Sequence, residues 1–222
     1  MSPADRTIEV RALTKTFGLN PVLRGLDFDV PRGQFLTLLG PNGSGKTTLL
    51  RILGALARPT SGTVRIGGWE LPGEAEFVRA QLGVVSHLPL LYDTLTAEEN
   101  LLFFARMYNL PHETRRDRVD AVLRRVGLAR RARDVVATYS RGMQQRLAIA
   151  RAILHDPAVL LLDEPYTGLD QDAAALLDEL LREVAIGGRT VIMTTHDLRR
   201  GHALADRIAI LSRGKIAFDA LC

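Results

Sequence analysis

The run Gly40-Pro41-Asn42-Gly43-Ser44-Gly45-Lys46-Thr47-Thr48 limits what this chain can fold into more than any other stretch. It fits the phosphate-binding pattern GxxxxGK[ST], and both flanks agree with it. Phe35 to Leu39 is an apolar run of strand length, and Leu49, Leu50, Ile52 and Leu53 give the following residues an apolar helical face. Glycines at 40, 43 and 45 free the backbone for positive φ and let main-chain N–H groups approach a polyphosphate with no Cβ in the way. A helix starting near Gly45 aims its unpaired N–H groups and positive dipole end at the same anion. Lys46 adds a full charge within reach of β and γ phosphates, and the Thr47 hydroxyl is placed to ligate Mg²⁺. A glycine-rich turn that only caps a helix needs none of this agreement. The pattern therefore points to nucleotide binding, while leaving a kinase, a GTPase and a motor all open.

At 222 residues the chain is long enough for one sizeable core, and its 46% hydrophobic content is ordinary for a globular protein. The formal net charge of +4 is modest and acids are mixed among the bases, so charge alone does not imply a nucleic-acid partner. Arginines gather at 115, 116 and 118, then at 124, 125, 130, 131 and 133, which reads as a solvated helical face rather than a phospholipid or nucleic-acid patch. The segment Met1 to Arg6 lacks an apolar signal core, and no uncharged stretch approaches the roughly 20 residues of a spanning helix, so a soluble chain is expected. Cys222 is the only cysteine, which rules out an intrachain disulfide and fits a reducing cytoplasm.

Ile8, Val10 and Ala12 alternate, as do Leu26, Phe28 and Val30, and with Thr63 to Ile66 they predict an antiparallel sheet. Continuous apolar runs at Leu82 to Val85, Ala158 to Leu162 and Thr190 to Thr195 predict strands of a second sheet, covered on both faces. Between Pro89 and His155 the pattern turns helical. Thr96 and Glu99 form a capping box before Leu101, Leu102, Phe103, Phe104 and Met107, and Pro111 is expected to end that helix. Val119, Val122, Leu123 and Val126 mark another helix, stopped by Gly127, and Ser212-Arg213-Gly214 turns a terminal hairpin.

The second half supplies further chemistry. Val159 to Leu162 runs into Asp163-Glu164-Pro165, which sets two carboxylates at the carboxyl end of a buried strand, the edge of an open α/β sheet where ligands bind. Asp163 is expected to hold Mg²⁺, directly or through water, and Glu164 to orient or deprotonate an attacking water. Val191 to Thr195 delivers His196 to the same edge, in reach of a γ phosphate. Ser140 reads as the N-cap of a helix bearing Met143, Leu147, Ala150 and Leu154, a helix end that could also take an anion.

Together these motifs resemble the ATP-binding subunits of ABC transporters over nearly the whole chain. Gly40 to Thr47 matches the Walker A loop, Leu160 to Glu164 the Walker B strand, and Tyr139 to Met143 the signature written LSGGQ. Thr167 to Asp170 is similar to the D-loop, His196 to the switch histidine, and Phe17 to the aromatic residue that stacks on adenine. The resemblance implies an α/β fold in a single domain over residues 1–222: a P-loop NTPase core with an antiparallel β subdomain and an α-helical subdomain inserted at about 88–155. It implies ATP and Mg²⁺ as cofactors, and a nucleotide-dependent head-to-tail homodimer in which Ser140 and Gly142 of one copy close the other copy's ATP site. It also implies integral-membrane transporter subunits as partners, a peripheral place on the cytoplasmic face of the membrane, and no nucleic-acid partner. A soluble ABC ATPase acting on DNA or ribosomes is the alternative of a different class; a simple P-loop kinase should lack the signature, D-loop and terminal histidine together.

Three positions depart from the family pattern. His87 stands where a glutamine is expected, so contacts to Mg²⁺ and water at that place would come from an imidazole. Arg141 replaces a signature glycine and could set a charge near the partner's ATP or point into solvent, and Met143 replaces the signature glutamine. His87, the compact length and the stretch Leu90 to Leu101 look similar to the ATPase subunit of the cytochrome c maturation transporter, a haem exporter, although other small efflux ATPases share most of these residues.

Overall fold

A computed structural model describes residues 6–86 and 88–222. The first sheet is antiparallel, with strands β1 (Arg6–Phe17), β2 (Asn20–Pro31), β4 (Ser61–Ile66) and β5 (Trp69–Leu71) in the order β2-β1-β4-β5. Its alternating pattern sends Ile8, Val10, Leu26, Phe28, Val30, Val64 and Ile66 inward. The expected alternation fails at Ala12. That residue has φ 47 and is exposed, pairing skips between Val10 and Leu13, and the fully buried Leu13 takes the inward place. A bulge thus shifts the strand's facing by one residue, held by Asp27 Oδ1, which accepts from the Ala12 N–H at 2.8 Å.

The second sheet has the order β10-β9-β3-β8-β7-β6, built from β3 (Phe35–Leu39), β6 (Leu82–Val85), β7 (Val159–Asp163), β8 (Thr190–Thr195), β9 (Arg207–Ser212) and β10 (Lys215–Leu221). All pairings are parallel except the terminal hairpin β9–β10. Every residue of β3, β7 and β8 is buried, which explains their unbroken apolar runs. The pleat divides these residues between two cores. Phe35, Leu160, Leu162, Val191 and Met193 face the helices, whereas Leu36, Leu38, Leu161 and Ile192 face the antiparallel sheet and α1 (Lys46–Leu53). A short helix, α2 (Ala75–Ala80), precedes β6.

On the helical side lie α3 (Ala97–Met107), α4 (His112–Arg125) and α5 (Arg141–Ile153). The capping box forms as expected, with Glu99 N–H donating to Thr96 Oγ1 at 3.2 Å and Thr96 N–H to Glu99 Oε2 at 2.8 Å. Pro111 plays a different part from the one expected. Helix α3 has already ended at Met107, with Asn109 in the left-handed region at φ 56, and Pro111 is the N-cap of α4. Met107 is exposed and lies off the apolar face. The arginine face is only partly solvated: Arg118 donates to the carbonyls of Leu154 and Ile153 at the end of α5, at 2.7 and 2.9 Å, and Arg115 donates to Leu110 O at 2.6 Å. Helices α6 (Gln171–Ile186) and α7 (Leu198–Leu204) link β7 to β8 and β8 to β9. Among the described residues no helix is long and apolar enough to cross a membrane.

Candidate functional site

The loop after β3 has little freedom. A Cβ on Gly40 (φ 154) would lie 2.2 Å from Leu211 O, and one on Gly45 (φ 110) would lie 2.7 Å from Leu23 Cδ2, so β2 and the terminal hairpin both press on it. Gly45 is the N-cap of α1 and offers no side-chain cap, so the first-turn N–H groups stay available to an anion. Lys46 is buried, and its ammonium curls back to donate to Gly40 O at 2.7 Å and Pro41 O at 3.3 Å. The charge is thereby held inside the curve of the loop. Pro41, Asn42, Gly43 and Thr47 are exposed and Thr48 is half-buried, while the buried Ser44 Oγ has no hydrogen-bond partner among the described residues. A cleft of about 340 Å³ opens here, lined by Val22, the loop from Asn42 to Thr48, and Glu164.

Register brings the other groups to the same edge. Leu39 pairs with Thr195 and Asp163 with Thr194, so β3, β8 and β7 end side by side. Asp163 is buried, and the Thr194 hydroxyl donates to its Oδ1 at 2.7 Å, which fixes the carboxylate. The next residue, Glu164, has φ 50, a left-handed conformation that costs a residue with a side chain roughly 1–2 kcal/mol. Its N–H donates to Thr194 O and Thr194 Oγ1, both at 3.1 Å, which locks that conformation and turns the carboxylate off the strand. His196 Nδ1 lies 2.9 Å from Glu164 Oε2, with the imidazole 72% exposed. With the proton on Nδ1 the ring donates to the carboxylate, leaving Nε2 for a ligand.

The donor set suits a hard cation. Thr47 supplies an exposed hydroxyl, and Asp163 an oriented carboxylate with one oxygen still uncommitted to Thr194. No group of three or more acidic, histidine or cysteine side chains among the described residues could hold a metal unaided. Such a cation would need phosphate oxygens to complete its coordination, which is the P-loop arrangement.

Ser140 caps α5, its hydroxyl accepting from the Met143 N–H at 3.3 Å, with Gly142 half-buried behind it. Arg141 is exposed at the start of α5. Its stem lies across Gly168, so close that a Cβ there would sit 2.6 Å from Arg141 Cδ. Gln145, one turn on, donates to Pro165 O at 3.1 Å, so the start of α5 rests on the segment that follows Glu164. Phe17 ends β1 with its ring exposed and the Lys15 ammonium 4.8 Å from its centroid; the ring is not part of the phosphate cleft wall. His87 lies outside the described residues.

Sequence reasoning missed Thr194 and Gln145. Thr194 had a signal, a hydroxyl in a strand read as covered on both faces, which calls for a buried partner. Gln145 had none, because its partner is a main-chain carbonyl twenty residues on.

A strand, phosphate loop and helix beside a Walker B carboxylate pair and a strand-end histidine define a P-loop nucleoside triphosphatase. The chain belongs to the ABC transporter family, which matches residues 23–167, and it is an ABC ATPase domain. It is 40% identical over 208 residues to the Nod factor export ATP-binding protein I of Ralstonia nicotianae, covering 94% of this chain and 65% of that one. It is 39% identical over 213 residues to the daunorubicin resistance ATP-binding protein DrrA3 of Streptomyces coeruleorubidus, covering 96% and 67%. The chain thus spans about two thirds of the length of these curated relatives. Among solved structures, the ATP-binding cassette MJ0796, a dimer in a post-hydrolysis state bound to ADP and Pi, is 30% identical with a TM-score of 0.89, covering 96% of this chain and 98% of that one. CbiO1 from Clostridium perfringens, part of the ABC transporter complex cbiONQ, is 27% identical with a TM-score of 0.87, covering 98% and 89%.

Proposed function

We propose that this chain is the ATP-binding and ATP-hydrolysing subunit of a membrane export system. The observation that supports it best is Glu164, held in a left-handed turn at the edge of the phosphate cleft and joined to His196. In this reading the N–H groups at the start of α1 and Lys46 bind the β and γ phosphates, and Phe17 takes the adenine. Thr47 and Asp163 hold Mg²⁺, which supplies neutralising charge on the phosphate oxygens. Glu164 orients the attacking water and accepts its proton, while His196 keeps the carboxylate in place and reaches toward the γ phosphate. His87 belongs to the same proposed set.

Ser140 and Gly142 of a second copy complete each site, so that ATP favours a closed head-to-tail pair. A near-complete swing between open and closed forms asks for about 5.5 kcal/mol of preference from ATP. The dimeric MJ0796 structure supports this assembly, and cbiO1's place in cbiONQ supports membrane subunits as partners. The helical subdomain, residues 88–155 of the single domain, passes the motion to those subunits from the cytoplasmic face.

Export is favoured over import because the relatives are named for Nod factor export and for linearmycin and daunorubicin resistance. The narrower reading, haem export for cytochrome c maturation, rests on His87 and the stretch Leu90 to Leu101, and none of these relatives is named for it. The deciding experiment is Glu164→Gln in the full chain: it should retain ATP, accumulate as an ATP-bound dimer and lose most turnover. Wild-type hydrolysis by that variant would refute the assignment.

A further inference from the structure

The contact between Glu164 and His196 is exposed on the histidine side, and water competes for such a pair, so alone it positions the imidazole weakly. A second link between the same two turns is better protected. Tyr166, two residues past Glu164, sits in a turn closed by Thr167 N–H to Glu164 O and Leu169 N–H to Tyr166 O, both 3.1 Å. Its ring therefore keeps a fixed offset from the carboxylate. The hydroxyl donates to Asp178 Oδ1 on α6 at 2.6 Å, and burial together with Asp178 pushes the phenol well above its usual range, so it stays a donor.

The Arg200 guanidinium covers this ring, with Cζ 4.9 Å from the centroid. Arg200 lies in the first turn of α7, capped by Asp197, which accepts from Arg199 N–H at 2.9 Å and Arg200 N–H at 3.2 Å. Asp197 directly follows His196. Arg200 Nε is 3.7 Å from Asp197 Oδ2, while its buried Nη1 has no hydrogen-bond partner among the described residues. The guanidinium is thus placed by the tyrosine face rather than by a full set of acceptors. One cavity of about 400 Å³ is walled by Glu164, Tyr166, His196 and Arg200 together.

We propose that Tyr166 is a positioning residue for turnover, joining the turn that bears Glu164 to the turn that bears His196 through the Arg200 guanidinium, an inference that rests on the ATPase reading above. Anchored on α6, the ring holds α7 and its cap in one place, which keeps the imidazole within reach of the carboxylate and of a bound γ phosphate. Less orientation is then left to be found at the moment of reaction.

A double-mutant cycle in the full chain tests this, with Tyr166→Leu, Arg200→Gln and the double variant followed by kcat, KM for ATP and urea midpoint. Each single change should lower kcat about fivefold with KM unchanged. The double variant should lose no more than either single, because both remove one link. Tyr166→Phe keeps the ring and should restore most of kcat while lowering the urea midpoint. Additive losses in kcat, or a lowered midpoint with kcat intact in Tyr166→Leu or Arg200→Gln, overturn the proposal. Should the leucine variant fail to fold, Arg200→Gln decides alone, since Arg200 is 34% exposed, and an unchanged kcat then overturns it. Absence of hydrolysis by the wild-type chain would overturn both this link and the ATPase reading; hydrolysis with additive losses would overturn the link only.

Discussion

Glycine is normally the worse choice than alanine for stability, and position 164 should reverse that order. Glu164→Ala and Glu164→Gly both remove the carboxylate and its bond to His196, so they differ only in the backbone. At an ordinary strand or helix position glycine is the less stable of the two by about 0.5–1 kcal/mol, because it loses more freedom on folding. Here φ is 50, and alanine must bear the left-handed cost of about 1–2 kcal/mol that glycine escapes. The backbone cannot relax around the substitution, since its N–H is held by Thr194 and its carbonyl by the Thr167 N–H. Subtracting the two terms leaves the glycine variant more stable by about 1 kcal/mol, or roughly 2–4 °C in Tm for a chain of this size. Urea unfolding of the nucleotide-free variants, followed by far-UV circular dichroism, measures the difference. Both variants should also lose roughly 10²- to 10⁴-fold in ATP turnover, so the more stable protein remains inactive. An alanine variant as stable as the glycine variant would refute the claim that position 164 is strained.

Two further outcomes are expected. Lys46→Ala removes a charge held inside the phosphate loop and should weaken ATP affinity roughly ten- to a hundredfold by equilibrium titration; unchanged affinity would remove Lys46 from the site. His155 stacks on Tyr108 with centroids 3.9 Å apart, its Nε2 lies 3.0 Å from Leu82 O, and burial pushes its pKa below the usual 6.5. The unfolded chain then binds the proton more readily, so this contribution is complete above about pH 6.5 and is lost as pH falls, by at most about 1.4 kcal/mol per unit. Replacing His155 with glutamine should flatten that part of the stability curve, and an unaltered curve would discard the idea.

What the chain disclosed before its fold was known follows from how local each signal is. The phosphate loop, the buried strands and the Thr96 capping box are read within a few residues, because glycine, apolar continuity and an N-cap act on their own neighbourhood. The bulge at Ala12 escaped because alternation predicts facing only while pairing stays in register, and the bulge is fixed by Asp27 on the next strand. Pro111 was legible as a boundary but not as which kind, since proline suits the residue before a helix as well as the residue after one. At the site, the strand-end acids and His196 announced themselves by position. Arg141 across Gly168, Gln145 on Pro165 and Arg200 over Tyr166 did not, because each joins segments that only the tertiary fold brings together.

The placing of β3 has a consequence for how the protein is made. Both of its neighbours, β8 and β9, come from the last part of the sequence, and the loop after β3 is braced by Leu211 and by the Gly214 N–H, which donates to Ser44 O at 3.2 Å. Synthesis delivers the amino end first, so the phosphate loop leaves the ribosome long before the strands that shape it. Until β8 and β9 have emerged, the nascent chain holds an apolar Phe35–Leu39 strand with open edges, and the loop gains its last brace only when Gly214 follows. The motif that appears early in translation thus takes its braced form late, and in the interval that strand is open to wrong pairing.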